Sequence, residues 1–184
     1  MSIWCEPQGQ VWVQRPIGEA FNQEYAVSTV KHPPKVHVWA CFCANGVGRI
    51  HVFTENLDSE LYKNILQEHL LDTKKKYWPN QQWYFQQDND PKHTSRLVQG
   101  WIASKGIDTI DWPPYSPDLN PIENLWADLK KRVEKHNCWS TDELAKAVKE
   151  EWWKTDKAYC KKLVDSMPER CWQVIEFEGG ATKY

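Results

Sequence analysis

Among the 184 residues of this chain no apolar run approaches the ~20 needed to span a bilayer as a helix. The first residues lack the basic-then-apolar order of a secretion signal. There is no internal repeat and no low-complexity segment, which excludes repeat arrays and disordered tails as the organising theme. Six cysteines, at 5, 41, 43, 138, 160 and 171, are too few and too scattered for a disulfide framework. Cys41 and Cys43 would share one face of a strand, and no second Cys/His pair at zinc-finger spacing follows, so they read as buried free thiols. Charge of either sign is nearly balanced, with 23 basic and 25 acidic residues and a net −2, giving no global pull toward nucleic acid or an anionic membrane. Basic clusters at Lys74-Lys75-Lys76, Lys130-Lys131-Arg132 and Lys161-Lys162 read as solvated helix faces. Aspartate is absent before Asp58. These absences leave a soluble, intracellular protein without a membrane partner, one domain over 1–184.

What is present is an α/β pattern. VHVWACFC (36–43) alternates as a strand does, Asn45-Gly46 signals a hairpin turn, and RIHVF (49–53) returns as the partner strand. The stretch from Leu57 to Trp78 carries apolar residues at helical spacing behind a capping Asp58. WYFQQD (83–88) reads as a short strand and SRLVQGWIASKG as a helix with Leu97, Val98, Trp101 and Ile102 inward and Gly106 as its stop. IDTIDW (107–112) is another strand, followed by a helix from Pro121 to about His136, one from Ser140 in a capping box, and a last one before Gly179-Gly180. Strand–helix–strand alternation through the middle predicts parallel pairing, with ligands beyond the carboxyl ends of those strands. The twelve tryptophans fall mostly inside apolar patterns and are assigned to packing.

Asp88 stands at such a strand end, in FQQDNDPKHTS (85–95). Two carboxylates in three residues repel each other unless a cation or donor lies between them. A second acid follows in WPPYSPDLNPIENLW (112–126). There Asn120 suits an N-cap, Pro121 the first helical position, and Glu123 the return half of a capping box. Four prolines in nine residues stiffen the preceding loop, more than starting a helix requires and enough to aim one. The 34 residues between Asp88 and Glu123 hold one helix and one strand, a route that can return the chain beside its departure point. Two such carboxylates suit Mg²⁺, which takes hard oxygen ligands, water and phosphate oxygens. Two ions about 3.5–4 Å apart stabilise both oxygens of a phosphoryl displacement.

QQDNDPKHTS, followed at this interval by WPPYSPDLNPIENLWADLKKRV, resembles the catalytic domain of the Tc/mariner superfamily of cut-and-paste DNA transposases. The likeness runs from VWVQRPIGEAFN (11–22) through VHVWACFCANGVG to SMPERCWQVIEFEGGATKY (166–184), nearly the whole chain. It implies an RNase H-like fold, a mixed sheet flanked by helices, and a DDE triad binding two Mg²⁺ or Mn²⁺ ions. Asp88 matches the second acid and Glu123 the third. The first acid belongs to an opening strand upstream of the segment matched by VWVQRP. The expectation is therefore a catalytic domain without that strand and without the amino-terminal helix-turn-helix region. Glu6, the one acid near the expected place, reads as part of the turn after the strand.

The resemblance further implies double-stranded DNA as partner, both transposon ends and target, cleavage of phosphodiester bonds, strand transfer, and nuclear residence. A homodimer, or pairing with a full-length copy, would complete the site. Asp90 reads as an Asx-turn residue before Pro91 or an acid behind Asp88. Lys92 and His93 are candidates for contact with a DNA phosphate or the loop, Asn120 for the helix cap, and Asn124 for a polar contact beside Glu123. Asp118, in Ser-Pro-Asp, reads as a turn residue, and Trp126 and Leu129 as core. With the first acid missing, impaired activity is expected. The competing reading is a non-catalytic DNA- or protein-binding remnant. A nucleotide-sugar transferase motif at Asp88-x-Asp90 leaves the proline loop and Glu123 unexplained.

Overall fold

The computed structural model describes residues 1–4, 33–180 and 182–184. Glu6 and the stretch 11–22 lie outside the described residues.

Strands β1 (Ser2–Trp4), β2 (Lys35–Cys43) and β3 (Gly46–Phe53) form an antiparallel sheet in that order. The β2–β3 hairpin turns at Asn45-Gly46, where Gly46 takes a φ of +128° that a side chain would strain. A bulge between Ala40 and Phe42 shifts the register of this pair, so the alternation that would have set Cys41 and Cys43 on one face is broken. Ile3, fully buried, pairs with Val36, and β1 covers that side of β2.

Helix α1 (Ser59–Ile65) begins at Asp58, whose side chain accepts from the Leu61 amide as expected. It continues through a π-helical turn at Leu66–Leu70 into α2 (Leu71–Tyr77). The buried Thr73 hydroxyl donates to His69 O at 2.9 Å and accepts from the Arg49 amide at 2.9 Å, pinning the helix to β3. Strand β4 (Tyr84–Phe85) pairs in parallel with β5 (Asp108–Thr109), and α3 (Arg96–Ser104) lies between them in sequence. Both strands are shorter than the sequence pattern suggested. The parallel pairing holds. In α3, Val98 and Ile102 are buried and Trp101 half-buried, but Leu97 is 43% exposed, because a helix packed on one side buries a single stripe. Gly106 ends that helix at a φ of +60°.

Helices α4 (Ile122–Val133), α5 (Thr141–Trp153), α6 (Lys157–Asp165) and α7 (Met167–Glu176) complete the chain. Ser140 caps α5 by accepting from the Glu143 amide at 3.2 Å. The sheet carries a core on each face. On one, Val36, Val38 and Ala40 pack against Leu125, Trp126 and Leu129 of α4 and Leu144, Val148 and Trp152 of α5. On the other, Trp39 and Cys41 meet Tyr62, Leu66, Phe85, Val98 and Ile102. Each large side chain so buried stabilises the fold by about 1.5–3 kcal/mol. Trp152 stacks on Trp126 at 5.4 Å and donates from Nε1 to Gly48 O at 3.0 Å, while Tyr77 Oη donates to Val47 O at 2.9 Å. Two carbonyls of the sheet's β3 edge are thus occupied by side chains.

Candidate active site

The parallel pair β4–β5 sends both strands toward one end of the domain, and the loops that leave them face each other across a cleft of about 460 Å³. Residues 88–91 form one wall and residues 112–117 the other, with Asn120 and Glu123 lining the same space. The two acids read from the sequence are therefore brought together.

Asp88 is held by its Oδ1 atom. His93 Nδ1 lies 2.6 Å away and the Asp90 amide donates to the same oxygen at 3.2 Å. Both contacts use Oδ1, and Oδ2 takes no hydrogen bond among the described residues. The side chain is 58% exposed. The hydrogen bond from His93 holds the Asp88 carboxyl below its usual range, against the opposing effect of burial. His93 is itself fixed: its ring stacks on Tyr62 at 4.1 Å, and its carbonyl accepts from Gln87 Nε2 and Gln99 Nε2. Tyr62 Oη donates to Gln87 Oε1 at 2.7 Å, closing the frame.

Glu123 stands in the first turn of α4. The capping-box alternative is not realised: the Asn120 amide donates to Pro117 O, and no hydrogen bond or ion pair engages the Glu123 carboxylate among the described residues. Burial raises its carboxyl above the usual value, the neighbouring charge of Asp88 adds to this, and the Met1 amine and Lys130 oppose it. A carboxylate that is partly desolvated beside another of like charge is one a cation stabilises. The Met1 amine donates to Val38 O at 3.1 Å and is acted on by both Glu123 and Asp88, so the Met1 end of β1 lies beside the pair.

Asn120 does not cap as predicted. Pro121 occupies the cap position, and Asn120 Oδ1 accepts from Gln86 Nε2 at 3.2 Å, reaching the Ile122 amide only at 3.5 Å. A proline-fixed φ of −67° already preorganises the helix start, which frees the amide for another use. That use is a strut between the end of β4 and the start of α4, the two elements that carry Asp88 and Glu123. A second strut runs from Asn89 Nδ2 to Trp112 O at 2.7 Å. Asp90 behaves as a turn residue: its carboxylate accepts from the Lys92 amide at 2.9 Å and from Lys92 Nζ at 3.0 Å. Although burial raises the Asp90 carboxyl, the bonds from Lys92 prevail and hold it below its usual range. Asn124 turns away from the cleft to accept from Arg170 Nη2 at 2.8 Å. Gln86, Asn89 and Arg170 were missed in the sequence, where a glutamine or asparagine beside a strand end carries no distinctive spacing.

The donor set is two carboxylates with unsatisfied hard oxygens in a solvent-open cleft, which fits Mg²⁺ or Mn²⁺ completed by water and phosphate oxygens. Among the described residues no group of three histidine, cysteine or acidic side chains is arranged to hold a metal.

A family model described as "DDE superfamily endonuclease" matches residues 8–145. The chain is 38% identical over 181 residues to the transposable element Tc1 transposase of Caenorhabditis elegans, covering 96% of this chain and 64% of that relative. It is 34% identical over 181 residues to the Tcb1 transposase of Caenorhabditis briggsae, again covering 96% and 64%. The chain thus spans 64% of these relatives' length, less than two thirds. Among solved structures it resembles the catalytic domain of Mos1 mariner transposase, with a TM-score of 0.75, 20% identity, and coverage of 82% of this chain and 77% of that one. The Mos1 mariner paired end complex with Mn gives a TM-score of 0.79 at 18% identity, covering 100% of this chain and 55% of that one. These likenesses establish the fold as RNase H-like.

Proposed function

Because the chain belongs to the DDE superfamily of endonucleases, among the Tc1/mariner transposases, we propose that it is a transposase catalytic domain whose Asp88 and Glu123 hold divalent metal ions for phosphodiester cleavage at transposon ends and strand transfer into target DNA. The observation that carries this reading is the shared cleft: Asp88 and Glu123, with 34 residues between them, line one space, and Glu123 forgoes the capping role its position offers. Bound there, Mg²⁺ or Mn²⁺ would stabilise negative charge on the attacked phosphate and its leaving oxygen. The protein's own part is positional. His93 orients Asp88, the Gln86–Asn120 strut sets the distance between the two carboxylates, and the proline loop aims α4. Lys92, 43% exposed and paired with Asp90, would be the cation to meet a DNA phosphate. The DNA partner is drawn from relatives such as the Mos1 paired-end complex with left transposon end, and a DNA substrate puts the place of action in the nucleus.

No acid stands among the described residues of β1 to serve as the first of the triad. On this reading an acid brought to the Met1 end of β1, by a longer copy or a second subunit, would complete the site, and cleavage without it would be weak. The test is Mn²⁺-dependent nicking of supercoiled DNA by the chain, with Asp88→Asn and Glu123→Gln beside it. Weak nicking lost in both variants supports the reading. Nicking that survives either substitution contradicts it. The two-ligand donor set also favours a second reading, a DNA-binding remnant without catalysis. That reading predicts duplex binding that falls steeply with salt and ignores Mn²⁺.

A further inference from the structure

Arg170 is 1% exposed, a buried cation on α7. Its Nε donates to Ser166 Oγ at 2.9 Å, Nη1 to Asp118 O at 2.6 Å and Nη2 to Asn124 Oδ1 at 2.8 Å. The guanidinium lies over the Tyr184 ring, 4.2 Å from its centroid. Asp118, in turn, accepts the Thr182 amide on Oδ2 at 2.9 Å. One side chain therefore joins the proline loop, the first turn of α4 and the carboxyl-terminal tail. The carboxylates of Asp118 and its neighbours do not pair with the guanidinium; a backbone carbonyl, an amide and a hydroxyl satisfy it instead. Burying a cation against neutral partners is a costly way to gain stability, and an apolar side chain of like volume serves that end as well. What the planar fork supplies is geometry: two acceptors from different segments held in one plane at fixed separation.

Asn124 follows Glu123 directly, and Asp118 O lies in the loop that aims α4. We propose that Arg170 is a positioning residue for the cation site, fixing the first turn of α4 so that the Glu123 carboxylate is presented to the cleft. The inference rests on the reading of Glu123 as a metal ligand. It adds that the carboxyl-terminal segment, remote in sequence from both acids, sets the site's affinity.

The test is a calorimetric titration of the full 184-residue chain with Mn²⁺, well below its unfolding temperature, with thermal melts run on every variant. Arg170→Lys keeps the charge and loses the fork; it should weaken Mn²⁺ binding about tenfold while still melting cooperatively, the usual effect of removing a group that orients a ligand. Glu123→Gln serves as reference and should weaken binding at least as much. A folded Arg170→Lys protein with wild-type affinity, alongside a Glu123→Gln protein that has lost it, overturns the positioning role alone. Mn²⁺ binding indifferent to Glu123→Gln overturns the ligand reading and this inference with it. If Arg170→Lys does not fold, Asn124→Ala decides: it removes only the link to α4, and several-fold weaker binding supports the role while unchanged binding refutes it.

Discussion

Replacing Glu151 with glutamine should make the fold measurably less stable at neutral pH and erase that difference in acid. Glu151, on α5, has a side chain only 9% exposed. It accepts from Lys154 Nζ at 2.7 Å, His136 Nε2 at 2.9 Å and Arg132 Nη1 at 3.4 Å, and its backbone carbonyl takes Arg132 Nη1 at 2.6 Å. Arg132, near the end of α4, also reaches Thr155 Oγ1 at 3.0 Å and Asp128 at 3.1 Å. The cluster is thus the polar clasp between α4, which carries Glu123, and α5. The hydrogen bond from Lys154 foremost, then that from His136 and the charges of Lys154 and Arg132, hold the Glu151 carboxyl down at about 2 from the ordinary 4.5. At about 1.36 kcal/mol per pH unit that span is worth roughly 3 kcal/mol. Lys154 is 62% exposed, so water screens its share, and about 1–2 kcal/mol remains.

The sign follows from linkage. The folded-state value is depressed, so the stabilisation is complete above about pH 4.5, fades as the pH falls toward 2, and is gone below. For a chain of this size 1–2 kcal/mol is about 2–8 °C in melting midpoint. Thermal melts of wild type and Glu151→Gln followed by circular dichroism at pH 7, 5, 4 and 3 would check it. The expected result is a gap of that size at pH 7 that narrows below pH 4.5. A gap that is constant from pH 7 to pH 3, or absent at pH 7, refutes the reasoning.

Gly48→Ala should destabilise by about 1–3 kcal/mol, because a Cβ there would stand 2.6 Å from both Cys41 Sγ and Thr73 Cγ2; chemical denaturation reads the loss. Thiol alkylation at pH 8 followed by mass mapping should label the exposed Cys171 and spare Cys41 and Cys160, whose thiols burial pushes up to about 12 and about 11; prompt labelling of Cys41 in the folded protein would contradict its buried placement.

The features legible in the sequence were those decided by a few neighbouring residues. Asp58 and Ser140 cap their helices, Asn45-Gly46 turns the hairpin, and Gly106 stops α3, because each depends on backbone geometry within a few positions. The Asp88 and Glu123 motifs could be paired because parallel-strand topology returns the chain to one end of the sheet. Long-range competition hid the rest. Asn120 is a fit cap by local rules, yet Gln86 from another element claims its side chain, and the rigid proline makes the cap dispensable. Arg170 has no local signature; a lone cation in an amphipathic helix reads as solvent-facing until the loop carbonyl and Asn124 are folded onto it. The π-helical turn at Leu66–Leu70 is likewise invisible to a pattern that counts only apolar spacing.

The central claim, that Asp88 and Glu123 hold divalent metal in their shared cleft, is tested most directly by loading the protein with Fe²⁺ in place of Mg²⁺ or Mn²⁺ and generating hydroxyl radicals with ascorbate and peroxide. Radicals form at the bound metal and cut the nearest backbone, and mass spectrometry reads the ends. The account predicts two clusters of cuts, one around Asp88 and one around Glu123, both lost in Asp88→Asn and in Glu123→Gln. Cuts elsewhere in the chain, or cuts at these two places that persist in both variants, would contradict it.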